Sequence, residues 1–68
     1  MREFVFQLLN ENQVMERQKE PCADDKAARA FARQIAKALQ EEGWLDGTPG
    51  AFLSVLDERG KEIFKEPL

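Results

Sequence analysis

Apolar and polar positions alternate almost from the start of the chain. Phe4, Phe6 and Leu8 fall on one side of an extended segment and Val5 and Leu9 on the other, a period of two residues that predicts a β-strand. Aromatic and branched side chains on both sides place this strand centrally in a sheet. Asn10-Glu11-Asn12-Gln13 carries turn chemistry, and Val14 to Glu20 reads as the returning strand. Beyond Val14-Met15 that segment is polar, as an edge strand guarded by its own charges would be. Pro21 is expected to end it.

The period then becomes helical. From Asp25 to Glu42, Ala28, Phe31, Ile35 and Leu39 recur along one stripe with Ala32 and Ala38 beside it, and small alanines would let the helix sit close to a sheet. Asp24 is the expected N-cap, and Asp24 and Asp25 suit the positive end of the helix dipole. Gly43 supplies the left-handed residue that commonly follows a helix. A loop from Gly43 to Gly50 follows. Ala51–Leu56 and Glu62–Lys65 then flank Asp57-Glu58-Arg59-Gly60, the signature of a hairpin with a type I turn and a glycine bulge. If Asp57 pairs with Lys61, Val55 lies opposite Ile63 with Leu53 on the same side, and Phe52, Leu56 and Phe64 point the other way. The order β-β-α-β-β predicts an α+β fold, one helix packed on one face of a four-stranded antiparallel sheet, with residues 1–68 as a single domain.

Composition changes this picture in two places. With 43% hydrophobic and 34% charged residues, the chain is expected to fold rather than stay disordered. Its 68 residues include one cysteine and no histidine, so no intrachain disulfide can form and a zinc centre is not expected. Self-association is then the remaining aid to a core this small. No secretory leader is visible at Met1-Arg2-Glu3-Phe4, and no apolar run approaches the roughly 20 residues of a membrane span. A soluble cytoplasmic protein without a membrane partner is expected, and a lone thiol fits a reducing compartment.

Candidate chemistry is sparse. Cys22 precedes the helix but has no histidine to act as base, Asp24 and Asp25 are explained by capping, and the glutamates show no ligand spacing. No catalytic residue, cofactor or metal is expected, and an enzyme is not the reading. Two features stand above background. One helix covers one face, so Val5 and Leu9 are left over together with either Phe52, Leu56 and Phe64 or the alternate side of that hairpin; a surface of Val5, Phe52, Leu56 and Phe64 is of the kind that marks a protein contact, with a second copy of the chain among the candidate partners. The alternative is the basic helix stripe of Lys26, Arg29, Arg33 and Lys37, which could grip a nucleic acid or an acidic protein, although a net charge of −3 weighs against nucleic acid. Trp44, just past the helix, is expected to pack back on its last turn.

Taken together, the aromatic strand with Phe4, Phe6 and Leu8, the D-x-x-x-A-x-x-x-A helix with Asp24, Ala28 and Ala32, and the D-x-x-G hairpin with Asp57 and Gly60 resemble a family of short uncharacterised bacterial proteins, a domain of unknown function. The resemblance spans nearly the whole chain. It implies the β-β-α-β-β fold and carries no activity, substrate or catalytic residue with it.

Overall fold

Alternation carries the first strand, β1, from Arg2 to Asn10; it is followed by β2 (Gln13–Cys22), the helix α1 (Asp25–Glu41), β3 (Ala51–Leu56) and β4 (Glu62–Pro67). The computed structural model describes residues 1–43 and 50–68, so the packing expected of Trp44 and Leu45 lies outside the described residues. The strands form one antiparallel sheet in the order β2-β1-β3-β4. β1 is therefore central, as its two-sided apolar content requires, and β2 is an edge.

The first hairpin is unusually tight. Glu11 and Asn12 have φ of 54° and 66°, the left-handed pair that a two-residue turn between right-twisting strands demands. Glycine or asparagine usually takes such positions, whereas Glu11 has a long side chain that disfavours them. β2 also runs further than expected. It passes through Pro21, which pairs with Glu3, and ends at Cys22. An edge strand lacks a neighbour on one side, so a missing N–H is tolerated there.

Asp24 is the N-cap: it is extended, and its Oδ1 accepts from the Ala27 N–H at 2.8 Å. At the far end Gly43 has φ of 68° and its N–H donates to the Gln40 carbonyl at 3.2 Å, the left-handed stop that the sequence predicts. The buried ridge of α1 is Ala28, Ala32 and Ala36. Ala38, expected beside the core, is exposed. The ridge falls on the alanines because a backbone carrying only methyl groups can approach the sheet most closely. Phe31 and Ile35 then fill the wedge to one side, half-buried against the core. The Phe31 ring lies 5.2 Å from that of Phe6 at an interplanar angle of 47°, a tilted arrangement favourable for aromatic pairs. Phe4, Phe6, Leu53 and Val55 complete the floor, with Phe4 and Val55 wholly buried.

The second hairpin corrects one expectation. Asp57 does pair with Lys61, its N–H donating to the Lys61 carbonyl at 2.8 Å. However, Val55 lies opposite Phe64 rather than Ile63, because the register shifts between Val55 and Leu56. The extra residue, Ile63, flips every side chain beyond it. Phe64 therefore faces the helix and not the open side, and both Ile63 and Phe64 pack on the core. One irregular residue places two large apolar side chains under cover where a regular ladder would place one.

A helix is about 10 Å across and four strands span about 19 Å, so α1 cannot roof the sheet even on its own side. It packs mainly over β3 and β4. The helix-side residues of β2, Glu16 and Gln18, stay exposed and Glu20 is half-buried, which explains why that row is polar.

Two outcomes follow. Replacing Glu11-Asn12 by Asn-Gly, the pair best suited to this turn, raises stability by about 0.5–1 kcal/mol in urea unfolding; an unchanged midpoint contradicts the turn assignment. The Lys61 N–H foremost, with the Arg59 N–H and the charges of Arg2 and Arg59, holds the Asp57 carboxyl below the usual carboxylate range against a small opposing desolvation. A lowered folded pKa stabilises fully above the ordinary value and is lost as pH falls through the lowered one. The parent chain therefore loses more stability than Asp57→Asn as pH falls below about 4, the ordinary carboxylate range, and equal acid losses for the two chains contradict it.

Candidate functional site

Cross-strand partners point to the same side of a sheet, so the pairing maps the face that α1 leaves bare. Three rows cross it from β2 to β4: Lys19–Val5–Leu56–Glu62, Arg17–Gln7–Ser54–Lys65, and Val14–Leu9–Phe52–Pro67. The outer two rows are apolar at their centres, where Val5, Leu9, Phe52 and Leu56 are all half-buried. Val14 is 46% exposed at the edge of the third. Of the four residues expected to form an apolar face, Val5, Phe52 and Leu56 thus lie together, and Phe64 lies on the other side of the sheet.

The middle row is polar and nevertheless buried. Gln7 is 7% exposed and Ser54 only 1%, with no helix or strand above them among the described residues. Their cover is made of long side chains. Arg17 Nε and Nη2 both donate to Gln7 Oε1, at 3.1 and 2.6 Å. Ser54 Oγ donates to Glu62 Oε2 at 2.6 Å. Lys65 lays its Nζ 4.2 Å from the centroid of the Phe52 ring, a cation–π distance, and Lys19 Nζ stands 3.8 Å from Glu3 Oε1. Aliphatic stems of Arg and Lys cover apolar ground while their charged ends stay in water. Burying Gln7 or Ser54 without a partner would cost about 1–3 kcal/mol each, so the charged ends are also what make the row tolerable.

The row itself ends in a cation on each side, Arg17 on β2 and Lys65 on β4, and the Glu62 carboxylate that accepts from Ser54 comes from the neighbouring row, where Glu62 stands opposite Leu56. Sequence reading misses Gln7 and Ser54, although each is a lone polar residue inside an apolar strand. Only the β1–β3 register, which sets Gln7 opposite Ser54, makes that signal usable.

The basic stripe lies on the other side of the molecule. Lys26, Arg33 and Lys37 are exposed and Arg29 half-buried, and none forms an ion pair among the described residues. Arg33 holds its guanidinium carbon 5.4 Å from the centroid of the Phe64 ring, which fixes the middle of the stripe beside β4. Between β2 and the second half of α1 runs an open groove of about 90 Å³, floored by Phe6, Leu8, Ile35, Leu39 and Leu53 and rimmed by Glu16 and Gln18.

Cys22 is buried. Burial first, then the negative charges of Glu20 and Asp24, push its thiol up from the ordinary value, away from the thiolate that nucleophilic chemistry needs. Its place before α1 does not offset that burial and those charges. No group of three or more carboxylates, thiols or imidazoles able to hold a metal occurs among the described residues. No helix among them is long and apolar enough to cross a membrane.

Residues 4–68 match the model of a family described as a domain of unknown function, DUF6894, and the chain belongs to that family. No curated protein and no solved structure matches it.

The buried thiol gives a direct check. Cys22 in the folded chain reacts with iodoacetamide at pH 8 at least about 10-fold more slowly than free cysteine, and unfolding in urea restores the rate. Equal rates before and after unfolding contradict the burial of Cys22.

Proposed function

We propose that this DUF6894 domain is a small, non-enzymatic protein-interaction module of the cytoplasm that docks through the sheet face opposite α1. The observation that carries this reading is the pairing of apolar rows on that face, Val5 with Leu56 and Leu9 with Phe52, above which no helix or strand lies among the described residues. Long charged side chains screen these rows from water, and they can move aside on binding where the partner supplies the hydrogen bonds that Gln7 and Ser54 would lose. Apolar rows framed by charges are the usual composition of a contact surface with a dry centre and a polar rim.

A second reading rests on the stripe of Lys26, Arg29, Arg33 and Lys37, whose cations have no carboxylate partner among the described residues. Cations at such spacing would hold an acidic protein segment or a phosphate backbone by a salt-sensitive attraction. It is the weaker reading, since the chain carries a net charge of −3.

One comparison separates them. Immobilised parent chain, Leu56→Lys and Arg33→Glu are set against the same purified binding partner, recovered by the parent chain. The sheet-face reading expects Leu56→Lys to lose at least about 10-fold in affinity, equivalent to about 1.4 kcal/mol, with Arg33→Glu near parental. Loss with Arg33→Glu alone transfers the function to the stripe and sinks the first reading.

A further inference from the structure

The charges on the open face are unequally answered, and the imbalance names the chemistry of what lies on it. Lys19 Nζ stands 3.8 Å from Glu3 Oε1, and the Glu62 carboxylate accepts from the Ser54 hydroxyl. Arg17 and Lys65, the two ends of the middle row, meet no carboxylate among the described residues. Both lean over the centre of the sheet: Arg17 is drawn onto Gln7 of β1, and Lys65 lies over the Phe52 ring of β3. These anchor points are one strand and one row apart, about 8 Å from strand spacing and rise. One carboxylate between the two cations reaches both, and two carboxylates one helical turn apart, about 5.4 Å, give each its own. In a chain with a net charge of −3, two unanswered cations beside apolar rows favour an acidic partner at this place.

The carboxylates of the face fix where the acid belongs. Glu62 stands opposite Leu56, and Glu3 precedes Val5 by two positions on β1, so negative charge borders the Val5–Leu56 row. That row takes an apolar side chain. The Leu9–Phe52 row carries no carboxylate and has Lys65 above it. A charged membrane surface would press on both rows alike, whereas a discrete segment can place its acids at one end. An extended segment laid flat here would leave its own N–H and C=O groups unpaired against apolar rows. A helix satisfies them internally, and its width of about 10 Å suits the two central strands between the long side chains of β2 and β4. The chain's own α1 carries Lys26, Arg29, Arg33 and Lys37 on its free side, so a second copy does not offer such a helix.

We propose that the open face takes an acidic amphipathic helix of a partner protein, whose apolar side chains lie on Val5–Leu56 and Leu9–Phe52 and whose carboxylates meet Arg17 and Lys65. The proposal rests on the interaction reading of this face and names the partner's chemistry.

The probe is a synthetic alanine-based helix with leucines about 14 Å apart, the separation of the Val5 and Leu9 rows, and two glutamates one turn apart between them. A second peptide has lysine in place of both glutamates. Titrated into the methyl-labelled parent chain, the glutamate peptide is expected to shift the Val5, Leu9 and Leu56 methyls. It binds at least about 10-fold more tightly than the lysine peptide, and less tightly as salt rises. Arg17→Gln and Lys65→Gln each weaken it at least about 3-fold. Should Arg17→Gln fail to fold because Gln7 loses its partner, Lys65→Gln and the exchange of peptides, which leaves the protein untouched, decide. Equal binding of the two peptides at the sheet methyls overturns the acidic occupant. So does a glutamate peptide that fails to bind at about 1 mM, roughly a thousandfold above micromolar dissociation constants. Binding that Arg33→Glu abolishes and Lys65→Gln spares moves the acid to the helix stripe and overturns the proposal. Phosphatidylglycerol vesicles that bind where the glutamate peptide does not overturn it in favour of a membrane. In each of these outcomes, loss of the purified partner by Leu56→Lys still tests the interaction reading by itself.

Discussion

A helix of seventeen residues is about 25 Å long and about 10 Å wide, and every other feature of this domain follows from how little it can cover. Its alanine ridge brings α1 close over β3 and β4, which seals Phe4, Val55 and Leu53 beneath it and draws Phe64 in with the help of the Ile63 bulge. The remaining sheet surface must be reconciled with water by other means. On the helix side of β2 this is done by composition, with Glu16, Gln18 and Glu20 where apolar residues would be stranded. On the opposite face, hydrogen bonding does the work: Gln7 and Ser54 occupy the centre and long charged chains lie across them.

That second device links stability to function. A wholly apolar face would aggregate, and a wholly polar one would bind nothing dry. Here Arg17 and Glu62 satisfy the buried middle row, and Lys65 lies over the Phe52 ring beside it. The same groups place two cations and a carboxylate around the apolar rows, a charge pattern that on the proposed reading would select what lies on the face.

Much of the fold was legible in the sequence because local signals agreed with one another. The period change at Asp24, the capping aspartate and Gly43 located the helix, and the two-sided apolar run of β1 identified a central strand. Three things were not legible. The Ile63 bulge moves Phe64 across the sheet, and no residue type announces an inserted position. The buried ridge fell on Ala28, Ala32 and Ala36 because close approach is decided by the sheet beneath, whereas periodicity alone weights Phe31, Ile35 and Leu39. The polar row needed register: Gln7 and Ser54 are 47 positions apart in the chain and become one unit only when β1 and β3 pair. Alternation groups Phe52 with Leu56 and Val5 with Leu9, but only the β1–β3 register sets the two pairs on one face, and their roof of Arg17, Glu62 and Lys65 had no signal in the sequence.

The central claim is that the face opposite α1 is the surface that becomes buried on association. Methyl relaxation enhancement by a water-soluble nitroxide measures this directly, residue by residue. As the purified binding partner is added, attenuation is predicted to fall for Val5, Leu9 and Leu56 while the exposed helix methyls of Ala30 and Ala38 remain fully attenuated. Unchanged attenuation of the sheet methyls at saturating partner, or protection that appears on the helix instead, would contradict the account.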